Sequence, residues 1–310
     1  MIPKLAFEVE RNQIEKVLKL AALVSLTDHD SISAPTLLRV VEETSQISLS
    51  LEWSVPFEGA VFHLGVHNLP SSRAQAILAD LRAYTRYPFA LQLTELLAML
   101  HQCPEVLLIF NHPLWDLSGL GRQRYAHLLG RFLQANGRFL HAFELNATRS
   151  RSENNGVIEL AGLWRRLLIS GGDRHGCEPS GALNLTRAES FSEFVHEIRA
   201  EQRSHVLFMP QYAEPLGIRT TQAVLDVIRD YPGYSPGCRR WDDRVFHPDQ
   251  SGAGEQPISA LWKAPPAFIE RIFSAMRVLE NATVRRALEQ ILRDEVSLDL
   301  PADGVYEAMS

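Results

Sequence analysis

Apolar residues recur at helical spacing at Ile14, Val17, Leu18 and Ala21, and the run Leu23-Val24-Ser25-Leu26 reads as a buried strand that ends at the polar cluster Thr27-Asp28-His29-Asp30. Ser33 can cap a second helix with Pro35 in its first turn and Leu37, Leu38 and Val41 on one face. Two strands are predicted over residues 47–53 and 60–66, joined across Pro56 and Gly59, then helices over 71–84 and 94–102. From there an apolar strand, a polar tip and an amphipathic helix repeat. Strand 106–110 ends at Asn111-His112-Pro113 and precedes helix 119–134; strand 139–145 ends at Asn146 and precedes helix 155–166; strand 167–170 ends at Gly171-Gly172-Asp173-Arg174-His175. Short apolar strands alternating with helices predict an α/β fold of βα units around a largely parallel sheet or barrel.

The last third differs. Prolines crowd residues 210–266, interleaved with Gly217, Gly233, Gly237, Gly252 and Gly254, a composition that predicts an extended connection. Beyond it, Phe268, Ile269, Ile272, Phe273, Met276 and Leu279, and then Leu288, Ile291 and Leu292 after Thr283, predict two amphipathic helices. The organisation expected is a catalytic barrel over residues 1–209 and a proline- and glycine-rich connection with a helical extension over 210–310.

Composition narrows the function. A chain of 310 residues that is 45% hydrophobic can bury a large core, and a net charge of -6 without single-sign blocks argues against nucleic acid as a bulk partner. Three cysteines, Cys103, Cys177 and Cys238, have no C-x-x-C spacing, which fits neither a disulfide framework nor a zinc ribbon. No apolar run approaches the roughly 20 residues that cross a bilayer, so no membrane partner is expected and the cytoplasm is the expected compartment.

The chemistry gathers at the predicted strand ends: Asp28 and His29, Glu52, His63 and His67, His112, Glu144, Asp173 and His175. In α/β barrels these ends share one mouth, so residues far apart in the chain converge. Imidazoles mixed with carboxylates suit Zn, Mn or Fe better than an all-oxygen Mg or Ca site. In Asp173-Arg174-His175, residues two apart on an extended chain point the same way and can serve adjacent metals. His67 follows His63 by four residues, two strand repeats, on the same face, which places it to act as acid, ligand or phosphate contact. Arg174, Arg149 and Arg151 can clamp phosphate oxygens, Trp115 and Asp116 can line a pocket, and Asp28 and Asp30 can orient His29. Cys177, beside the D-x-H segment, is read as an inert thiol, and His101, His127, His141, His196, His205 and His247 as structural or surface residues.

Taken in order, Leu26-Thr27-Asp28-His29-Asp30, Leu51-Glu52, Val61-Phe62-His63-Leu64-Gly65, Phe110-Asn111-His112-Pro113, Phe143-Glu144-Leu145-Asn146 and Gly171-Gly172-Asp173-Arg174-His175 resemble the polymerase and histidinol phosphatase (PHP) family of metal-dependent phosphoesterases over residues 20–184. The resemblance implies a distorted β/α barrel of the TIM-like, seven-stranded type holding two or three divalent ions. It makes Glu52 the bridging carboxylate, His63 and His112 its partners on one metal, His29 and His175 ligands of a second, and Asp173 a ligand of the first. Family members begin with a strand bearing His-x-His, whereas residues 1–12 contain no histidine, so either that strand lies upstream of this start or the barrel has lost it and holds fewer ions. The expected function is hydrolysis of a small phosphorylated substrate, a nucleotide, sugar phosphate or amino-alcohol phosphate, by metal-activated water, with Arg174 and His67 as catalytic candidates. The alternatives are a degenerate barrel acting as a binding or regulatory module and an amidohydrolase-like enzyme acting on a C–N bond.

Overall fold

The computed structural model describes residues 3–44, 46–174, 178–248, 255–262, 264–281, 283–284, 286–287 and 305–307. It divides into two units, a larger one of Ile2–Asp173, Pro179–Met209 and Val296–Ser310 and a smaller one of Met1, Arg174–Glu178 and Pro210–Glu295.

The larger unit opens on helix α1 (Pro3–Asn12), a π-helical turn over Gln13–Val17 and helix α2 (Ser33–Val41). The expected strand at Leu23-Val24-Ser25-Leu26 forms no ladder. Its continuation instead touches the sheet at one point, where His29 bridges Glu52 in parallel, with Asp30 N–H donating to Glu52 O at 2.8 Å and Glu52 N–H to Asp28 O at 3.1 Å.

Strands β1 (Leu51–Phe57) and β2 (Ala60–His67) are antiparallel, and only Glu58 and Gly59 lie between them, at φ of 51° and 91°. Two left-handed residues match the right-handed twist of a hairpin, and a two-residue link is far too short for a crossover helix. Helices α3 (Ala74–Arg86) and α4 (Ala90–Gln102) then return the chain to β3 (Leu107–Asn111), which pairs antiparallel with β2. Only the next stretch consists of βα units: α5 (Arg122–Asn136) leads to β4 (Ala142–Asn146) and α6 (Arg151–Trp164) to β5 (Leu167–Gly171), both in parallel register.

The sheet is thus mixed and open, in the order β1-β2-β3-β4-β5. This corrects the expectation of a TIM-like barrel. A β/α barrel needs every strand parallel and each followed by a helix, and here β1, β2 and β3 alternate in direction; no closed barrel forms among the described residues. A second, three-stranded sheet joins β6 (Ala182–Leu185) to β7 (His205–Phe208) and β7 to Val305–Glu307, all antiparallel, with helix α7 (Phe191–Arg199) between β6 and β7.

The strand period of two separates the faces of the main sheet. One face carries Trp53, Val55, Phe62, Leu64, Phe110, Phe143 and Leu168 into the large core beneath α3 to α6, where Trp53 Nε1 donates to Thr85 Oγ1 at 3.0 Å and to Leu81 O at 3.2 Å. The other carries Leu107, Ile109, Ala142, Leu167 and Ile169 against Phe194, Val195 and Ile198 of α7. On that second face, toward the C-terminal ends of β3 and β4, the apolar pattern gives way to Glu52, His63, Asn111 and Glu144. A sheet face that turns polar at one end marks where chemistry can be placed.

In the smaller unit, residues 210–266 are more than the expected extended connection: they contain helix α8 (Leu216–Ile228), which starts behind Pro215 and buries Ile218, Leu225 and Ile228. Proline preceding a first turn is compatible with a helix because the N–H groups there lack helical partners in any case. The turn α9 (Trp241–Arg244) buries Asp242 completely; the carboxylate pairs with Arg240 at 2.7 Å and accepts Trp262 Nε1–H at 2.9 Å. Strands β8 (Phe246–Pro248) and β9 (Glu255–Pro257) form a small antiparallel pair, and α10 (Ala267–Met276) supplies the first of the two predicted C-terminal helices. The second lies mostly outside the described residues.

Candidate metal centre

Glu52 and His63 come from the adjacent strands β1 and β2, and His112 from the turn that follows β3. Register places Glu52 beside Gly65 and His63 beside Asn111, so the acid, the imidazole and the turn that follows β3 all meet at one end of the same face. All three side chains are buried. Glu52 Oε1 lies 3.3 Å from His63 Nδ1 and 3.2 Å from His112 Nε2, and those two nitrogens are 3.2 Å apart.

Protons alone satisfy this triangle poorly. If both rings donate to Oε1, their two N–H groups face each other; if one ring donates to the other, the carboxylate loses a donor. A cation accepting a lone pair from each atom removes the conflict, and a tetrahedral ion with bonds of about 2.0–2.1 Å spaces its donors about 3.4 Å apart. The donor set fits a divalent transition metal.

The second carboxylate oxygen faces elsewhere. Glu52 Oε2 lies 3.7 Å from Nε2 of the exposed His29, whose ring centroid is 4.9 Å from that of His63. His29, Glu52 and His63 together form a group whose ligand atoms all lie within 4.8 Å of one another and which could hold a metal ion. The isolated bridge described above delivers His29: Asp28 Oδ1 accepts its backbone N–H at 2.9 Å, and Asp30 Oδ1 accepts Ser54 N–H at 2.9 Å, fastening the segment along β1.

Burial alone would raise the Glu52 carboxyl, but hydrogen bonds from His112, His63 and Asn111, with the charge of His63, overcome it and hold the group far below the usual carboxylate range. His112 shows the converse. Burial acts to lower it, but the bond to Glu52 and the charges of Glu144, Asp173 and Glu52 push it up. A lowered acid beside a raised imidazole is an ion pair, so a metal ion held by Glu52 and His112 would have to displace the imidazole proton.

Asn111, which sequence reasoning gave no role, donates Nδ2–H to Glu52 Oε1 at 3.0 Å. Gly65 makes room for it: a Cβ there would stand 2.9 Å from Asn111 Oδ1 and 2.8 Å from His67 Nε2. The glycine inside Val61-Phe62-His63-Leu64-Gly65 was the available signal, since strand-interior glycine marks close approach. His67 therefore leans over Gly65, with Nδ1 3.2 Å from Ser25 Oγ and its ring stacked on Phe191. Burial pushes it down to about 4 against an opposing pull from Glu52, so near neutral pH it is uncharged.

Glu144 is the other residue without an assigned role. Its Oε2 accepts His112 N–H at 2.7 Å and Asn146 Nδ2–H at 3.0 Å, and burial pushes the carboxyl up to about 7.

Asp173 lies at the end of the same sheet, but its carboxylate is paired with Arg149 at 2.6 Å. That guanidinium also stacks 3.6 Å over Trp115, whose ring lies 5.0 Å from His112, edge to face. Arg151 begins α6, and Asp116 accepts Gly121 N–H at 2.7 Å to close the loop after Trp115. Arg174 belongs to the smaller unit, where its charge acts on Glu178. His175 and Cys177 lie outside the described residues. Among the described residues no helix is long and apolar enough to cross a membrane. No protein-family model and no curated protein matches the chain, which leaves the cluster itself as the ground for a functional reading.

Proposed function

We propose that this chain is a metal-dependent hydrolase of small phosphate esters, related to the PHP phosphoesterases that its ordered motifs resemble. The observation that carries the reading is the buried triangle of Glu52 Oε1, His63 Nδ1 and His112 Nε2, each within 3.3 Å of the others. A divalent Mn, Zn or Fe ion held there would supply Lewis acidity to a phosphoryl oxygen and lower the pKa of water.

The chain's own residues would do the rest. Glu52 presents one oxygen to His63 and His112 and the other toward His29, so a single carboxylate can serve two neighbouring positions. Asn111 holds its Oε1 edge. Arg149, fixed by Asp173 and Trp115, sets a planar cation on the rim beside His112, suited to paired phosphate oxygens. His67, pushed down to about 4, stays neutral and stands near Asn111 as a hydrogen-bonding group rather than as a base.

The second reading is a binding module without catalysis. The Arg149–Asp173 ion pair favours it, because it occupies the carboxylate that the resemblance gives to a metal. A panel of phosphomonoesters and phosphodiesters, assayed with Mn, Zn or Fe and after chelation, separates the two. The enzyme reading expects turnover that chelator abolishes, metal restores and Glu52→Ala removes. Metal binding without turnover on any ester makes the protein a binding module.

A further inference from the structure

His112 sits one residue beyond β3 with φ of 30°, a left-handed conformation that is unfavourable for a residue bearing a Cβ. Something must hold it there. Its backbone N–H points at Glu144 Oε2, 2.7 Å away on the neighbouring strand. That oxygen is fixed in turn by Asn146 Nδ2 at 3.0 Å, and Asn146 is clamped by α6: its N–H donates to Asn154 Oδ1 at 3.0 Å and its carbonyl accepts Asn154 Nδ2–H at 2.9 Å.

The other flank of Glu144 is equally specific. On β5, a Cβ at Gly171 would stand 1.5 Å from Glu144 Oε1 and 2.2 Å from its Cδ. No side chain other than hydrogen at position 171 leaves the carboxylate where it is. A buried acid that reaches the cluster through the backbone N–H of His112, a glycine slot shaped for it and a left-handed turn at a candidate ligand are three features with one common explanation.

We propose that Glu144 is a positioning residue of the metal centre: seated in the slot that Gly171 leaves open, it holds the backbone of His112 in the left-handed turn that aims Nε2 at Glu52. The inference rests on reading the cluster as a metal site. Through Asn154, Asn146, Glu144 and His112 it connects helix α6 to the cluster, so the geometry of one ligand is set by residues that never touch the ion.

The test uses the full chain as wild type, Glu144→Ala, Glu144→Gln, Gly171→Ala and the double variant Glu144→Ala/Gly171→Ala. Cobalt(II) affinity by equilibrium dialysis and the visible cobalt spectrum are read alongside the His112 amide proton shift in chelator. Loss of an outer contact to a ligand typically weakens metal binding about 10–100-fold, and Glu144→Ala is expected in that range with an altered spectrum. Glu144→Gln, which keeps an acceptor oxygen, should recover most of the affinity. Gly171→Ala should weaken cobalt binding when Glu144 is present and add little when Glu144 is already alanine, because the three atoms nearest a Cβ there all belong to that side chain. Equal cobalt affinity and spectrum in wild type and Glu144→Ala, or a Gly171→Ala effect of the same size in both backgrounds, overturns the proposal. A wild type that binds no cobalt overturns the metal reading instead, and the His112 amide shift then decides separately: a shift unchanged in Glu144→Ala refutes the hold on the turn, and a moved one supports it.

Discussion

His112 Nε2 stands 3.2 Å from Glu52 Oε1 although the two residues are 60 positions apart in the chain. The contact exists because β2 lies between β1 and β3 and carries His63 on the same face, so β1, β2 and the turn after β3 offer one ligand atom each. Glu52 is the hub: it accepts from Asn111, meets both buried imidazoles through Oε1 and faces His29 through Oε2. Glu52→Ala is therefore expected to weaken metal binding more than any other single change in the cluster, by more than about 100-fold, read by equilibrium dialysis with zinc. A residual affinity within about threefold of wild type would contradict that role.

Asn111→Ala removes one neutral donor to a buried carboxylate and leaves the imidazoles in place. The expected result is about 10–100-fold weaker metal binding, the range for an outer partner of a ligand, with a stability loss near 1 kcal/mol. Calorimetric titration and urea unfolding measure the two separately; an unchanged affinity would show that Glu52 needs no help from Asn111.

Arg149→Ala frees Asp173 and exposes the face of Trp115. If the guanidinium receives phosphate oxygens, inorganic phosphate should inhibit the variant about tenfold less well or worse, as expected for a lost charge-assisted bond. Unaltered phosphate inhibition would remove Arg149 from the substrate site.

The histidine pair behind the sheet predicts a pH dependence independent of metal. His141 Nδ1 accepts Leu108 N–H at 2.9 Å, and burial, then the charges of Arg199, His101 and Arg166, push it down to about 3. The folded chain therefore holds this imidazole neutral while the unfolded chain protonates it below about 6.5. Its contribution to stability is complete above that value and is lost as pH falls toward about 3, at up to about 1.4 kcal/mol per pH unit. Urea midpoints measured from about pH 7 to about pH 5 should fall in the wild type and flatten in His141→Asn, which keeps an acceptor for Leu108 N–H. Parallel curves for the two proteins would exclude His141 as the source.

The members of the cluster were legible because imidazoles and acids stand out in an apolar pattern; Glu52, His63, His112 and His29 were all named as strand ends, whereas Glu52 is the second residue of β1 and His63 lies inside β2, and cross-strand register rather than a shared barrel mouth brings them together. The barrel was misread because local alternation of strand and helix says nothing of strand direction. The short gap between the predicted strands 47–53 and 60–66 was the available signal, being too short for the dozen or so residues of a crossover, and the structure narrows it to Glu58-Gly59. Gly65 and Gly171 were visible as letters, but their purpose depends on side chains of neighbouring strands, and only register shows who fills the space. Helix α8 was hidden by prolines that flank it rather than interrupt it.

The most direct test of the central claim is an anomalous-difference map from crystals of the full chain grown with zinc or manganese. The account predicts a peak bonded to Glu52 and His63 at about 2.0–2.2 Å, with His112 or His29 completing the protein ligands. A map with no peak at these residues, the side chains joined only by hydrogen bonds, would contradict it.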